Sequence, residues 1–206
     1  MQSTESLIAI CFNASLLRYG GDVAVCAMTV MTSVMQFSSM PLHGLTQGAQ
    51  PIVSYNFGAR NAQRVREAFS CLLRACLSYS MAIWLLVELF PSAFVRIFNS
   101  DPALVAYASR AVRIYMACSG IFGIQTACQQ TFVALGNART SLLLAVWRKI
   151  ILLVPLIYIL PCFFADKAFA VFLAEPVADF GAVVMTSVMF YRQFRRSMRE
   201  LEGTKE

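Results

Sequence analysis

Charged residues are scarce in this chain of 206 residues, at 14% of the total, against about 25% in typical soluble domains. Hydrophobic residues reach 58%. This composition leaves too little polar surface for a soluble globular domain. It also excludes a disordered chain, because ample apolar side chain is available for burial. The scarcity of charge therefore indicates an integral membrane protein.

Signatures of enzymes and of metal or cofactor sites are also missing. The chain has one histidine, His43, and no HExxH, GxSxG, Walker A or glycine-rich dinucleotide motif. Its seven cysteines include no CxxC pair and are expected to act as small hydrophobic residues. We therefore expect a protein that is not an enzyme and that carries no metal or organic cofactor.

The net charge of +6 does not point to nucleic acid. The arginines and lysines lie mostly in short breaks between apolar segments, as in the loops of membrane proteins. Eleven of them fall in the breaks after the second and fourth apolar segments and in the C-terminal tail, and five on the other face. The positive-inside rule then predicts a cytoplasmic C-terminus. This count includes Arg148 and Lys149 as loop residues.

Six apolar segments predict six membrane-spanning helices, because a bilayer admits only helices or closed barrels. The first is about 20 Å long as a helix, whereas the hydrocarbon core is about 30 Å thick. We therefore expect the first helix to be truncated and the chain to begin inside a helix of a longer ancestor. The segments form a single lobe over residues 1–195, followed by a cytoplasmic polar tail over 196–206, and cover approximately 6–17, 23–57, 69–90, 114–135, 142–164 and 169–191.

Three runs carry a family resemblance. They are GLTQGAQPIVSYNFGARN at residues 44–61, QQTFVALGNART at 129–140 and ILLVPLIYILP at 151–161. They resemble helix eight, helix ten and helix eleven of the multidrug and toxic-compound extrusion (MATE) family, most of all its MepA-like branch. The resemblance implies a six-helix bundle equivalent to one lobe, helices seven to twelve, of a twelve-helix transporter.

The resemblance also implies a function. Family members export cationic or amphipathic drugs in exchange for Na⁺ or H⁺, and their transport path lies between two lobes. We therefore expect a lipid bilayer, small drugs and a missing N-terminal lobe or a second copy as partners, in a bacterial plasma membrane. Two alternatives stay open: a non-transporting membrane fragment of a decayed or misannotated gene, and a lipid-linked sugar flippase of the same superfamily.

Three carboxylates are candidates for cation or proton coupling, since carboxylates inside a membrane are costly unless they bind a positive charge. Glu5 matches an acidic residue that the family often carries in helix seven; the alternative is a helix end at the membrane surface. Glu175 and Asp179 are four residues apart and share one helical face. Their alternative is a solvated helix start near the outer surface.

Uncharged polar residues inside the apolar segments have two interpretations. They line a cavity, or they join helices through hydrogen bonds. Gln125 and Gln129 share one helical face, and both interpretations fit them equally. The same two interpretations apply to three polar residues of the second segment, Gln47, Gln50 and Asn56. For these residues helix packing is favoured.

Overall fold

The computed structural model describes the backbone of residues 2–203 and the side chains of residues 6–203. Within these residues the chain consists of helices joined by short breaks and has no strand, which confirms the all-α class. A π-helical segment, Trp147–Leu153, interrupts the α-helices. The α-helices are α1 (Gln2–Gly58), α2 (Ala62–Leu89), α3 (Pro91–Phe98), α4 (Pro102–Tyr115), α5 (Ser119–Ala134), α6 (Ala138–Val146), α7 (Val154–Phe163) and α8 (Lys167–Gly203).

Helix α1 consists of two arms joined at Gly21. This residue has φ 64° and ψ −162°, a backbone conformation that is essentially restricted to glycine. Gly20 permits close approach to α8, because a Cβ atom there would lie 3.1 Å from the Cβ of Ala168. The first two predicted spans correspond to these arms. The second arm continues as a helix through Pro41 and Pro51.

Helices α2 and α5 pack closely because small residues face each other. A Cβ atom on Gly123 would lie 2.5 Å from the backbone oxygen of Cys76. The Ser80 hydroxyl donates a hydrogen bond to the Gly120 carbonyl oxygen at 2.8 Å. At the start of α2, the Asn61 side chain accepts a hydrogen bond from the Arg64 backbone N–H, which satisfies a donor that the helix leaves unpaired.

The predicted fourth span, 114–135, differs from the structure. Helix α4 begins at Pro102, and α5 follows after a short break. The arginines of α4 made this segment resemble a loop. In the fold they have partners: the Arg113 side chain donates to the Glu88 carbonyl oxygen at 3.2 Å, and the Arg110 guanidinium lies 5.8 Å from the centre of the Phe169 ring.

Four helical rods are long and apolar enough to cross a membrane: Ser6–Gly58, Ala62–Leu89, Ala138–Phe163 and Lys167–Gly203. The rod Ser6–Gly58 contains two arms, and α4 with α5 forms a further interrupted rod, so the described residues form about six helical units. Helix α8 has 37 residues, or about 56 Å. Helix α8 continues to Gly203, so most of the predicted polar tail, 196–206, is part of this helix.

The core of the bundle joins α1 to α4 and α8 through fully buried side chains, among them Phe12, Leu16, Met31, Val112 and Phe172. Large apolar side chains also cover the outside; Ile10 and Phe37 are more than half exposed. Such a surface suits contact with lipid tails rather than water. The cavity described next lies beside this core, which contributes Phe12 and Met28 to its wall.

Candidate ion-coupling and ligand-binding site

A cavity of about 610 Å³ lies between α1, α5, the π-helical segment and α8. This volume is within the range of about 300–1,000 Å³ typical of small-molecule sites. We call it the central cavity. Its walls combine methionine and aromatic side chains with a few polar groups, among them Met35, His43, Gln125, Gln129, Arg148 and Glu175.

Three charged residues form a buried cluster beside the central cavity. Arg148, in the π-helical segment, donates to Glu175 Oε1 at 3.0 Å and also pairs with Asp179. The side chains of all three are at least nine-tenths buried. The guanidinium also lies 5.0 Å from the centre of the Phe122 ring, where a cation is attracted to the ring face.

The cluster formed by Arg148, Glu175 and Asp179 contains two carboxylates and one guanidinium. A second cation, Lys149, lies in the wall of the central cavity and interacts electrostatically with both carboxylates. An uncompensated buried charge is costly, and a paired one is much less so. Arg148 matches one of the two negative charges, and Lys149, a proton on a carboxylate or a bound cation can compensate the other.

The two carboxylates of the cluster face different spaces. Glu175 lines the central cavity. Asp179 lines a separate void of about 40 Å³ between α1, α2 and α5, whose wall includes the hydroxyl-bearing residues Ser39, Tyr79 and Ser119. Helix α8 thus presents one carboxylate to a ligand-sized cavity and the other to a small void whose wall combines apolar side chains with a few hydroxyl groups.

Unpaired polar atoms lie beside the cluster. Among the residues that the structure describes, Gln125 Oε1, Gln129 Nε2 and Arg148 Nε are buried without a hydrogen-bond partner. A buried polar atom without a partner costs free energy, and such atoms are rare in folded proteins. All three residues line the central cavity, so a polar ligand there could satisfy them.

Comparison with known proteins identifies the family of this bundle. A family model described as MatE matches residues 1–159. The chain belongs to the MATE family. Members of this family are multi-pass membrane transporters rather than enzymes.

The relatives agree with this assignment to the MATE family. The multidrug export protein MepA of Staphylococcus haemolyticus is 23% identical over 174 residues, which cover 83% of this chain and 38% of MepA. The solved structure of the MATE multidrug transporter DinF-BH is 34% identical with a TM-score of 0.79, over 93% of this chain and 42% of the transporter. The resemblance to MATE proteins of the MepA-like kind is thereby confirmed.

A second solved structure supports the fold alone. The crystal structure of MATE in the bent conformation is 15% identical, with a TM-score of 0.90 over 98% of this chain and 44% of that chain. In all these comparisons the chain spans about two fifths of the length of the MATE protein that it matches.

The structure brings together four of the residues singled out from the sequence. Glu175 and Asp179 share the charged cluster, and Gln125 and Gln129 line the central cavity beside it. Both carboxylates are buried rather than solvated at a helix start. The side chain of Glu5 lies outside the described residues, so its assignment stays a prediction.

Three polar residues singled out in the second α1 arm, Gln47, Gln50 and Asn56, do not line the central cavity. Gln47 is exposed, and Gln50 and Asn56 are half-buried. The Asn56 side chain donates to the Ile52 carbonyl oxygen of its own helix at 2.8 Å. Nearby, the Ser54 hydroxyl donates to the Ala134 carbonyl oxygen at 3.0 Å and so joins α1 to the end of α5.

Sequence reasoning missed Arg148, which it counted as a loop residue. The structure places Arg148 in the buried cluster and Lys149 in the wall of the central cavity. Without these two, the predicted cytoplasmic face keeps nine basic residues against five. Two signals were available: Arg148 lies within the fifth predicted span, and two carboxylates in the sixth need a positive partner inside the membrane.

Proposed function

We propose that this chain forms the second lobe of a multidrug efflux transporter, which exports cationic or amphipathic compounds while Na⁺ or H⁺ moves inward. The observation that carries the proposal is the buried pairing of one arginine, Arg148, with two carboxylates, Glu175 and Asp179, at the wall of the central cavity.

The charge of the cluster supplies a mechanism for exchange. The carboxylate charge that Arg148 does not match takes one monovalent partner at a time, so a drug cation at Glu175 competes with Lys149 and with a proton or Na⁺ bound to the cluster. Binding of the coupling ion then weakens drug binding. Coupling to a change of conformation requires that the ion binds one state much more tightly than the other.

The walls of the cavity suit amphipathic ligands of variable shape. Met28 and Met35 provide flexible, polarisable surface, and Phe122 provides an aromatic ring to which an organic cation is attracted. The side-chain amides of Gln125 and Gln129 can each donate a hydrogen bond through the NH₂ group or accept one at the oxygen.

We further propose that transport requires a second lobe, either an N-terminal lobe of the MATE type or a second copy of this chain. The chain corresponds to about two fifths of a MATE transporter. The proposed location is a bacterial plasma membrane with the C-terminus in the cytoplasm. The excess of basic residues on that face supports this orientation.

The test is transport by the purified chain in proteoliposomes, with and without an N-terminal lobe taken from a MATE relative. An imposed Na⁺ or pH gradient should drive accumulation of the fluorescent organic cation ethidium when both lobes are present. E5Q, E175Q and D179N should abolish this accumulation while insertion of the chain is unchanged. E88Q is the matched control, because Glu88 lies at the end of α2 and is not in the cluster.

Full transport by the E175Q and D179N variants would refute coupling through the cluster. Gradient-driven transport by the chain alone, as a monomer, would refute the need for a second lobe. A complex that translocates a lipid-linked sugar but no organic cation would favour the flippase alternative. The absence of any transport with both lobes present would favour the non-transporting fragment.

A further inference from the structure

A second concave surface lies away from the central cavity, on the flank of the bundle. It is a groove of about 620 Å³ between α2 and α8, with α5 beneath. Its floor is apolar: Ile124 and Cys128 of α5 lie next to aromatic rings of α2 and α8. We call it the basic groove, defined by Arg66, Phe69, Ile124, Tyr191, Arg195 and Arg199.

The aromatic residues of the basic groove form a preformed apolar wall. The ring of Phe69 lies 4.5 Å from that of Phe190 and 5.2 Å from that of Phe194, centre to centre. The rings of Phe190 and Phe194 stack at 4.9 Å. These rings hold one another in place, so an apolar chain that enters the groove meets a rigid surface.

One end of the basic groove is strongly cationic. Arg66 pairs with Glu202 at 2.9 Å in a half-exposed contact. The Arg195 guanidinium lies 4.7 Å from the centre of the Tyr191 ring, and Arg195 and Arg199 have no carboxylate partner among the described residues. Guanidinium groups bind phosphate through paired hydrogen bonds. The end of the groove therefore offers an excess of phosphate-binding groups.

We propose that the basic groove binds one anionic phospholipid, with its phosphate against Arg195 and Arg199 and an acyl chain along the aromatic wall. Along α8 the groove runs from Ser187 to Arg199, or about 18 Å. This length matches one leaflet, since the hydrocarbon core of a bilayer is about 30 Å thick. An apolar channel of this length that ends in arginines complements the two halves of an anionic lipid.

Two features of the site determine which lipid it selects. Glu202 is paired with Arg66, so its carboxylate opposes an anionic headgroup less than Arg195 and Arg199 attract it. A zwitterionic headgroup such as phosphocholine would also place its ammonium group among the arginines. The groove should therefore prefer phosphatidylglycerol to phosphatidylcholine.

The experiment is native mass spectrometry of the purified full chain in detergent, titrated with phosphatidylglycerol or with phosphatidylcholine. We expect one retained phosphatidylglycerol per chain. R195Q/R199Q should weaken its binding about 100-fold, as the loss of two charge-assisted contacts with the phosphate implies. The matched control is R192Q/R196Q, which removes two charges from the same end of α8 at positions outside the groove and should leave the affinity nearly unchanged.

The acyl half of the site is tested separately with S187W, which fills the apolar end of the groove. It should weaken phosphatidylglycerol binding while the melting temperature of the lipid-free chain stays that of the parent. Equal losses in the two double arginine variants would overturn the proposal, because they would indicate general attraction to charge. Displacement of the lipid by an equal concentration of glycerol phosphate, or a chain dimer lost in R195Q/R199Q, would also overturn it.

Discussion

Replacement of Arg148 by glutamine should strongly destabilise the folded chain. The Arg148 side chain is 9% exposed, and those of its partners Glu175 and Asp179 are 7% and 5% exposed. Removal of one member of a buried ion pair costs about 3–5 kcal/mol, because the charge that remains is uncompensated. For a chain of this size, 3 kcal/mol corresponds to a fall of about 10 °C in melting temperature.

The assay is thermal unfolding of the purified chain in detergent, followed by helical circular dichroism. R74Q is the matched control, because Arg74 also lies within a membrane helix but its side chain is exposed and bonds the Ser70 carbonyl oxygen of the same helix. The neutral triple variant R148M/E175Q/D179N should recover most of the lost stability. An R148Q transition within about 2 °C of the parent would show that the carboxylates do not depend on the arginine.

Three further predictions concern backbone geometry and orientation. G123V should destabilise the chain by about 1–3 kcal/mol in the same unfolding assay, because its Cβ would overlap the Cys76 backbone; G203V, at an open position, is its control. G21V should cost about 1–3 kcal/mol, because valine cannot adopt the conformation of Gly21; an unchanged transition would contradict this. A C-terminal green fluorescent protein fusion should fluoresce in bacteria and an alkaline phosphatase fusion should be inactive; the reverse pattern would refute a cytoplasmic C-terminus.

The helical class and most helix positions could be predicted from apolar runs and their breaks. The break between the first two predicted spans, 6–17 and 23–57, contains Gly21, which forms the bend of α1. Helix α4 was missed because Arg110 and Arg113 suggested a loop. Their partners, the Phe169 ring and the Glu88 carbonyl oxygen, are distant in sequence, so local composition could not reveal them.

The sequence predicted the carboxylates and glutamines of the candidate site but not the arginine. A spacing of four residues placed Glu175 and Asp179 on one face of α8, and the same spacing placed Gln125 and Gln129 together on α5. The partner of the carboxylates could not be assigned by helical periodicity, because Arg148 lies in a π-helical segment, where the angular position of each side chain differs from that in an α-helix. Such segments are rare and concentrate at functional sites.

Helix α5 borders both concave surfaces of the bundle with adjacent residues. Ile124 and Cys128 face the basic groove, and Gln125 and Gln129 face the central cavity. Successive residues of an α-helix are about 100° apart. Deletion of one residue at the start of α5 would therefore turn the glutamines toward the basic groove and move Ile124 to the position of Gly123, where a Cβ atom would meet the Cys76 backbone. The length of this helix is therefore fixed to the residue.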